Sequence, residues 1–125
     1  MIRQQHILIV DDDENIVNVL SLILQNAGFQ ITIDRNGDLF FVNSGSQPEL
    51  ILMDNKLGYK SGMELCRQLK ANEQTKRIPV IMISAADNLE GIAREACADY
   101  FLAKPFNITD LIDVVHLALH PKTRG

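Results

Sequence analysis

The chain has no tryptophan, two cysteines, two tyrosines and four prolines in 125 residues. Each scarcity removes a class. Cys66 and Cys97 have no CxxC spacing, so neither a disulfide framework nor a thiolate zinc site is indicated. Both lie in apolar helical patterns and read as buried free thiols. His6, His116 and His120 form no ligand-spaced set. The longest apolar runs are strand-sized, which excludes a membrane span. The polar start of the chain is followed only by Ile7 to Val10, too short for the apolar core of a signal peptide, so the cytoplasm is the expected compartment. Lys and Arg do not cluster, and a net charge of −4 with a pI near 5.2 argues against direct binding of nucleic acid on a broad basic surface. No repeat, low-complexity segment or linker is present. What remains is 46% hydrophobic and 22% charged, enough for a packed core at this length. One domain over 1–125 is expected, with a core at about 6–119 and a loose tail at 120–125.

Hydrophobic patterning predicts alternating strands and helices. The run 6–10 is apolar on both faces, as a central parallel strand should be, and stops at Asp11, Asp12 and Asp13. Asp13 suits the N-cap of a helix over 14–27, with Ile16, Leu20, Ile23, Leu24 and Ala27 on its core face and Gly28 as its stop. One cap uses one acid, which leaves Asp11 and Asp12 as adjacent carboxylates that repel unless a cation relieves them. The alternating segment 30–34 predicts a strand near a sheet edge, and 38–42 a short helix of poor helical composition. The run 49–54 is a third strand ending in Asp54, followed by a loop over 55–60 that Gly58 loosens. Ser61 with Glu64 reads as a capping box opening a helix to about 72, carried by Met63, Cys66, Leu69 and Lys70. A strand over 79–83 ends at Ser84, Ala85 and Ala86. Asp87 or Asn88 then caps a helix to about Cys97, with Leu89, Ile92, Ala93 and Ala96 inward. A fifth strand over 100–102 ends at Lys104 and Pro105. Asn107 caps a last helix that turns Ile108, Leu111, Ile112, Val115 and Leu119 inward. Five such alternations predict an α/β fold, a parallel sheet with helices on both faces and right-handed crossovers.

Ligands of open α/β sheets bind beyond the carboxyl ends of the strands. Asp11 and Asp12 stand at the end of the first strand, Asp54 at the third, Ser84 at the fourth and Lys104 at the fifth. Each alone has a bland explanation as a cap or turn residue. Together they describe one lip, with the second strand outboard.

In four stretches the chain resembles the receiver domain of bacterial two-component response regulators: 7–13 ending in Asp11, Asp12 and Asp13; 48–54 ending in Asp54; 78–85 with Ser84 and Ala85; and 98–106 with Lys104, Pro105 and Phe106. Ser84 lies 30 residues and Lys104 lies 50 residues past Asp54. The resemblance implies a doubly wound, flavodoxin-like sheet in the order 2-1-3-4-5. It implies that Asp54 is a phosphoacceptor, taking its phosphoryl group from a phosphohistidine on a sensor histidine kinase or histidine phosphotransfer protein. Asp12 would bind Mg²⁺ directly and Asp11 mainly through water, with Asp54 and the backbone carbonyl of Lys56 completing the protein ligands. Ser84, the backbone N–H of Ala85, and Lys104 would take phosphoryl oxygens. Ser84 and Phe101 would switch the face made by the helix after Ser84, the fifth strand and the last helix, which a downstream protein target reads. Such a chain is a switch rather than an enzyme, promoting only its own phosphorylation and dephosphorylation. The physics asks for a similar set, because phosphoryl transfer spreads charge over oxygens that a hard cation and an ammonium can neutralise.

The chain departs from the family pattern at Gly58, where proline is usual, at Ser61, where an acid is common, and at Cys97, in place of a glycine; the segment from Ser84 to Lys104 is also short. Lys56 stands where family side chains overhang the phosphoryl group, so its ammonium is expected to lengthen the life of the phosphorylated form. Two rival readings fit part of this pattern. A haloacid-dehalogenase-type phosphohydrolase would use Asp11 in an Asp-x-Asp motif, but Asn15 stands where it expects Thr or Val. No acidic pair follows Lys104 on a further strand either; Asp110 and Asp113 fall on the last helix. A pseudo-receiver would bind partners without phosphorylation, leaving the acid, hydroxyl and lysine set unused. The chain is either a free-standing regulator or part of a longer one.

Overall fold

The computed structural model describes residues 4–39, 46–58, 60–85 and 87–121. In chain order the elements are β1 (His6–Val10), α1 (Glu14–Asn26), β2 (Gln30–Asp34), β3 (Leu50–Asp54), β4 (Lys56–Leu57), β5 (Lys60–Ser61), α2 (Gly62–Ala71), β6 (Val80–Ser84), α3 (Leu89–Glu95), β7 (Tyr100–Ala103) and α4 (Ile108–Leu119). β2, β1, β3, β6 and β7 form one sheet in that order, every pair parallel. This is the expected 2-1-3-4-5 order, with β6 and β7 as the fourth and fifth long strands.

Side chains alternate across a strand, so each central strand feeds two cores. Ile7, Ile9, Leu50, Leu52, Ile81 and Ile83 join Leu20 and Leu24 of α1 and Leu111 and Val115 of α4 on one face. Leu8, Val10, Ile51, Met53, Val80 and Met82 join Cys66 and Leu69 of α2 and Leu89 and Ala93 of α3 on the other. Burying a large aliphatic side chain is worth about 1.5–3 kcal/mol, so continuously apolar strands have only one stable place, between two helical layers.

Local expectations hold where a cap or a glycine decides them. Asp13 accepts from the backbone N–H groups of Asn15 and Ile16, Ser61 from Glu64 and Asn107 from Asp110. α1 closes in a Schellman motif, Gly28 N–H to the Gln25 carbonyl and Phe29 N–H to that of Leu24, with Gly28 at φ 98°.

Several expectations need correction. The buried stripe of α1 is Val17, Leu20 and Leu24; Ile16 and Ile23 flank it and Ala27 is exposed at the C-cap. Periodicity alone did not give the helix its phase, which the packing on the sheet decides. On α4, Ala118 replaces Ile108 on the inner face; Ile108, the first residue of the helix, is 60% exposed. The segment after Asp54 is a small antiparallel ribbon, Lys56 opposite Ser61 and Leu57 opposite Lys60, turned by Gly58 at φ 59°. Asn88 is the N-cap residue of α3 but makes no side-chain cap hydrogen bond, and the helix ends at Glu95. Cys97 is exposed, not buried: it sits at φ 62°, just past the C-cap Ala96, where its backbone closes the helix. Asp38 and Leu39 are not helical, and 40–42 of that expected helix lie outside the described residues, as do Ala86 and 122–125 of the tail.

Candidate functional site

Parallel strands deliver their carboxyl ends to one edge, and that edge carries the acids. Asp11 continues the β1–β2 ladder by one residue, its N–H donating to the Asp34 carbonyl at 3.3 Å. Its side chain is then held by the Asp13 N–H, which donates to Asp11 Oδ1 at 2.9 Å. Asp13 is committed to the cap of α1. The three consecutive acids therefore part company: Asp11 is 2% exposed, while Asp12 and Asp13 are exposed.

Asp54 closes β3 and is buried, as is Ser84 at the end of β6. Lys104 follows β7, tied by its backbone N–H to the Ser84 carbonyl at 3.0 Å. Its ammonium lies 3.6 Å from Asp11 Oδ2 and 3.6 Å from Asp54 Oδ1. One flexible cation thus spans two buried carboxylates. Asp11, Asp12 and Asp54 each present an oxygen within 4.8 Å of the others. Three carboxylates and one ammonium leave an excess of negative charge, and hard divalent cations select such all-oxygen sites. The residues present fit such an ion.

Burial, and next the Asp11 charge, push the Asp54 carboxyl up from 3.8 to about 6; Lys104 and the backbone N–H of Lys56 pull against them. Burial thus disfavours the charge on Asp54 despite those two partners, so the carboxylate gains by acquiring a further one.

The sequence reading overlooked Gly62, the first residue of α2. Its N–H donates to the Asn55 carbonyl at 2.7 Å, and a Cβ there would overlap the Asp54 carbonyl. Only glycine lets α2 seat this close to the strand end. A glycine directly after a Ser cap, where helix propensity disfavours it, was the available signal.

The remaining expected residues fall as follows. Ala85 is exposed beside Ser84, and Lys56 is exposed on the ribbon with its backbone beside Asp54. Gly58 brings that ribbon next to Asp12, whose Oδ2 would lie 3.8 Å from a Cβ at position 58. Phe101, opposite Met82 in the sheet, is 45% exposed and faces outward here.

The response regulator receiver domain model matches residues 7–116. The phosphate regulon transcriptional regulatory protein PhoB of Pseudomonas aeruginosa is 37% identical over 111 residues, covering 85% of this chain and 48% of that protein. The DNA-binding dual master transcriptional regulator RpaA of Synechocystis is 33% identical over 125 residues, covering 94% of this chain and 50% of that protein. The chain spans about half the length of the curated relatives it matches. Among solved structures, the receiver domain of a signal transduction histidine kinase from Syntrophus aciditrophicus superposes with a TM-score of 0.84 at 30% identity, covering 97% of this chain and 96% of that one. The receiver domain of a sensor histidine kinase from Pseudomonas aeruginosa PAO1, with a magnesium ion coordinated in its active site cleft, gives 0.82 at 26% identity, covering 94% and 98%. A parallel sheet in this order, acids and a lysine at one edge, and a family match over nearly all of the sheet and helices lead to one assignment: the chain belongs to the response regulator receiver domains, the signalling switches of two-component systems.

Proposed function

We propose that Asp54 is the phosphoacceptor of this domain, and that the donor is a phosphohistidine on a sensor histidine kinase or a histidine phosphotransfer protein. A carboxylate oxygen of Asp54 forms the new O–P bond as the N–P bond of the donor breaks, and the imidazole leaves. Asp11, Asp12, Asp54 and the backbone carbonyl of Lys56 are the proposed Mg²⁺ ligands, Asp12 directly and Asp11 mainly through water. Once bound, the ion supplies charge neutralisation and a template for in-line attack. Lys104 neutralises a phosphoryl oxygen from the opposite side. Ser84 and the Ala85 N–H take the others.

The observation that carries this reading is the Lys104 ammonium held 3.6 Å from each of two buried carboxylates. A purely structural ion pair needs one acid; a second buried carboxylate and a third at the mouth are excess charge that only a cation and a phosphoryl group put to use. Output follows from the same groups. Ser84 moves toward the phosphoryl group, the exposed ring of Phe101 turns inward, and the face of α3, β7 and α4 changes for a downstream protein. Turning a state populated at about 1% into one at about 99% takes roughly 5.5 kcal/mol, within reach of a few charge-assisted hydrogen bonds of about 1.5–3 kcal/mol each. The whole region from residue 1 to 125 acts in this reading as one receiver unit.

The test is incubation with a small acyl phosphate, with Mg²⁺ or with EDTA, followed by intact mass. A Mg²⁺-dependent gain of one phosphate, absent in Asp54→Asn, supports the proposal. Steady hydrolysis that survives Asp54→Asn and stops in Asp11→Asn would move the chemistry to Asp11. No adduct under either condition would leave a partner-binding domain without phosphorylation.

A further inference from the structure

Strand β2 also ends in an acid, Asp34, but that carboxylate is committed to its own loop. Oδ1 accepts from the backbone N–H groups of Asn36, Gly37 and Asp38 at 3.3, 2.9 and 3.1 Å, and Oδ2 from that of Leu39 at 2.8 Å. Four donors on one side chain fix the path of 35–39. The loop so formed lies against the β4–β5 ribbon. Leu39 and Leu57 are buried in one cluster. Lys60 Nζ meets Asp38 Oδ1 at 3.3 Å. Gly37 is packed so closely that a Cβ there would come 2.7 Å from Leu65 Cδ1, 3.1 Å from Leu57 Cδ1 and 3.7 Å from Lys60 Cδ.

The ribbon carries backbone that the acidic edge uses. Lys56 begins it, and the Lys56 N–H bonds the Asp54 carboxylate. Gly58 turns it at φ 59° beside Asp12, and glycine there gives up the stiffness that a proline would bring. The ladder is only Lys56 opposite Ser61 and Leu57 opposite Lys60, and an isolated two-stranded ribbon is marginal at best. Its shape therefore depends on what it is fastened to, which is the buried Leu57 side chain and the Lys60–Asp38 ion pair. Asp12, Asp38 and Lys60 line one cleft between the loop and the ribbon.

We infer that Lys60 and Asp38 are positioning residues of the metal site: their ion pair ties the ribbon to the Asp34 loop and so holds the Lys56 backbone in place for the ion. This rests on the reading of the Lys56 carbonyl as a Mg²⁺ ligand. Lys60 and Asp38 act through the ribbon, not as ligands. Charge alone makes a different demand. Removing the Lys60 ammonium from beside an acidic site favours a cation, whereas removing the Asp38 carboxylate disfavours it. Loss of the tie weakens binding in both cases.

The test is a Mg²⁺ titration followed by backbone amide chemical shifts in wild type, Lys60→Gln, Asp38→Asn and the exchanged pair Lys60→Asp with Asp38→Lys. Urea midpoints are measured alongside. Expected is a rise in Kd of about three- to fivefold for each single variant, which at about 1.4 kcal/mol per tenfold is about 0.7–1 kcal/mol, the upper range of a partly exposed ion pair. The exchanged pair should bind more tightly than either single variant. A pair that serves stability alone would move the urea midpoint and leave Kd where it was. Unchanged or tighter binding in Lys60→Gln, or an exchanged pair no better than the single variants, would overturn the inference while leaving the metal site standing. A wild type that binds no Mg²⁺ would overturn the reading of the metal site, and this inference with it.

Discussion

Replacing Asp54 by Asn should stabilise the metal-free protein, and by an amount that depends on pH. The carboxyl of Asp54 is raised from 3.8 to about 6, mainly by burial and then by Asp11. At about 1.4 kcal/mol for each pH unit, that corresponds to about 3 kcal/mol of unfavourable charge in the folded state. The site opens to water on one side, so about 2 kcal/mol is the expected penalty. The folded chain holds this proton more tightly than the unfolded chain, so wild-type stability falls as pH rises from about 4 to about 6 and loses no more at this position above that. Asn is neutral throughout. Urea unfolding in EDTA, followed by far-UV circular dichroism because the chain has no tryptophan, should give nearly equal stabilities at pH 4 and an advantage of about 2 kcal/mol for Asp54→Asn at pH 8. Millimolar Mg²⁺ should shrink that advantage by stabilising the wild type through mass action. A difference that does not change with pH, or an Asn variant less stable at pH 8, would refute the reasoning that burial and Asp11 outweigh Lys104 and the Lys56 N–H at Asp54.

Gly62→Ala places a Cβ against the Asp54 carbonyl; thermal unfolding should show a loss of about 1–3 kcal/mol, with slower phosphorylation because the strand end shifts. Cys97→Gly relieves the left-handed strain at the end of α3 and should raise stability by about 1 kcal/mol, read in the same urea assay. Lys104→Ala leaves Asp11 and Asp54 facing each other without their shared ammonium; metal-free stability at pH 8 should drop by about 1–3 kcal/mol, and acyl phosphate should label Asp54 far more slowly. Lys56→Ala should shorten the life of phospho-Asp54, followed by loss of the phosphorylated mass after donor removal; an unchanged or longer life would place the Lys56 ammonium away from the phosphoryl group.

What the sequence made readable was whatever depends on strand polarity. Continuous apolar runs ending in Asp11, Asp54 and Ser84 identify buried parallel strands, and parallel strands necessarily bring those ends to one edge. Caps were readable for the same local reason, since Asp13, Ser61 and Asn107 act within their own first turn. Helix phase was not: Ile16 and Val17 are equally apolar neighbours, and only contact with the sheet decides that Val17 is buried. Cys97 was misplaced because apolar periodicity ran past Glu95, whereas the backbone had already turned into its closing motif. Gly62 escaped notice because its role is to lack a side chain next to a residue eight positions earlier, a demand visible only once β3 and α2 meet. The resemblance to receiver domains, carried by those strand ends, was confirmed by the family match over residues 7–116.

The central claim is that one carboxylate, Asp54, takes the phosphoryl group. It is tested most directly by treating the protein with acyl phosphate and Mg²⁺, reducing the product with borohydride, and sequencing the peptides by mass. An aspartyl phosphate is reduced to homoserine, so the account predicts homoserine at position 54 and nowhere else. Homoserine at position 11 or 12, or none in a protein that retains bound Mg²⁺, would contradict it.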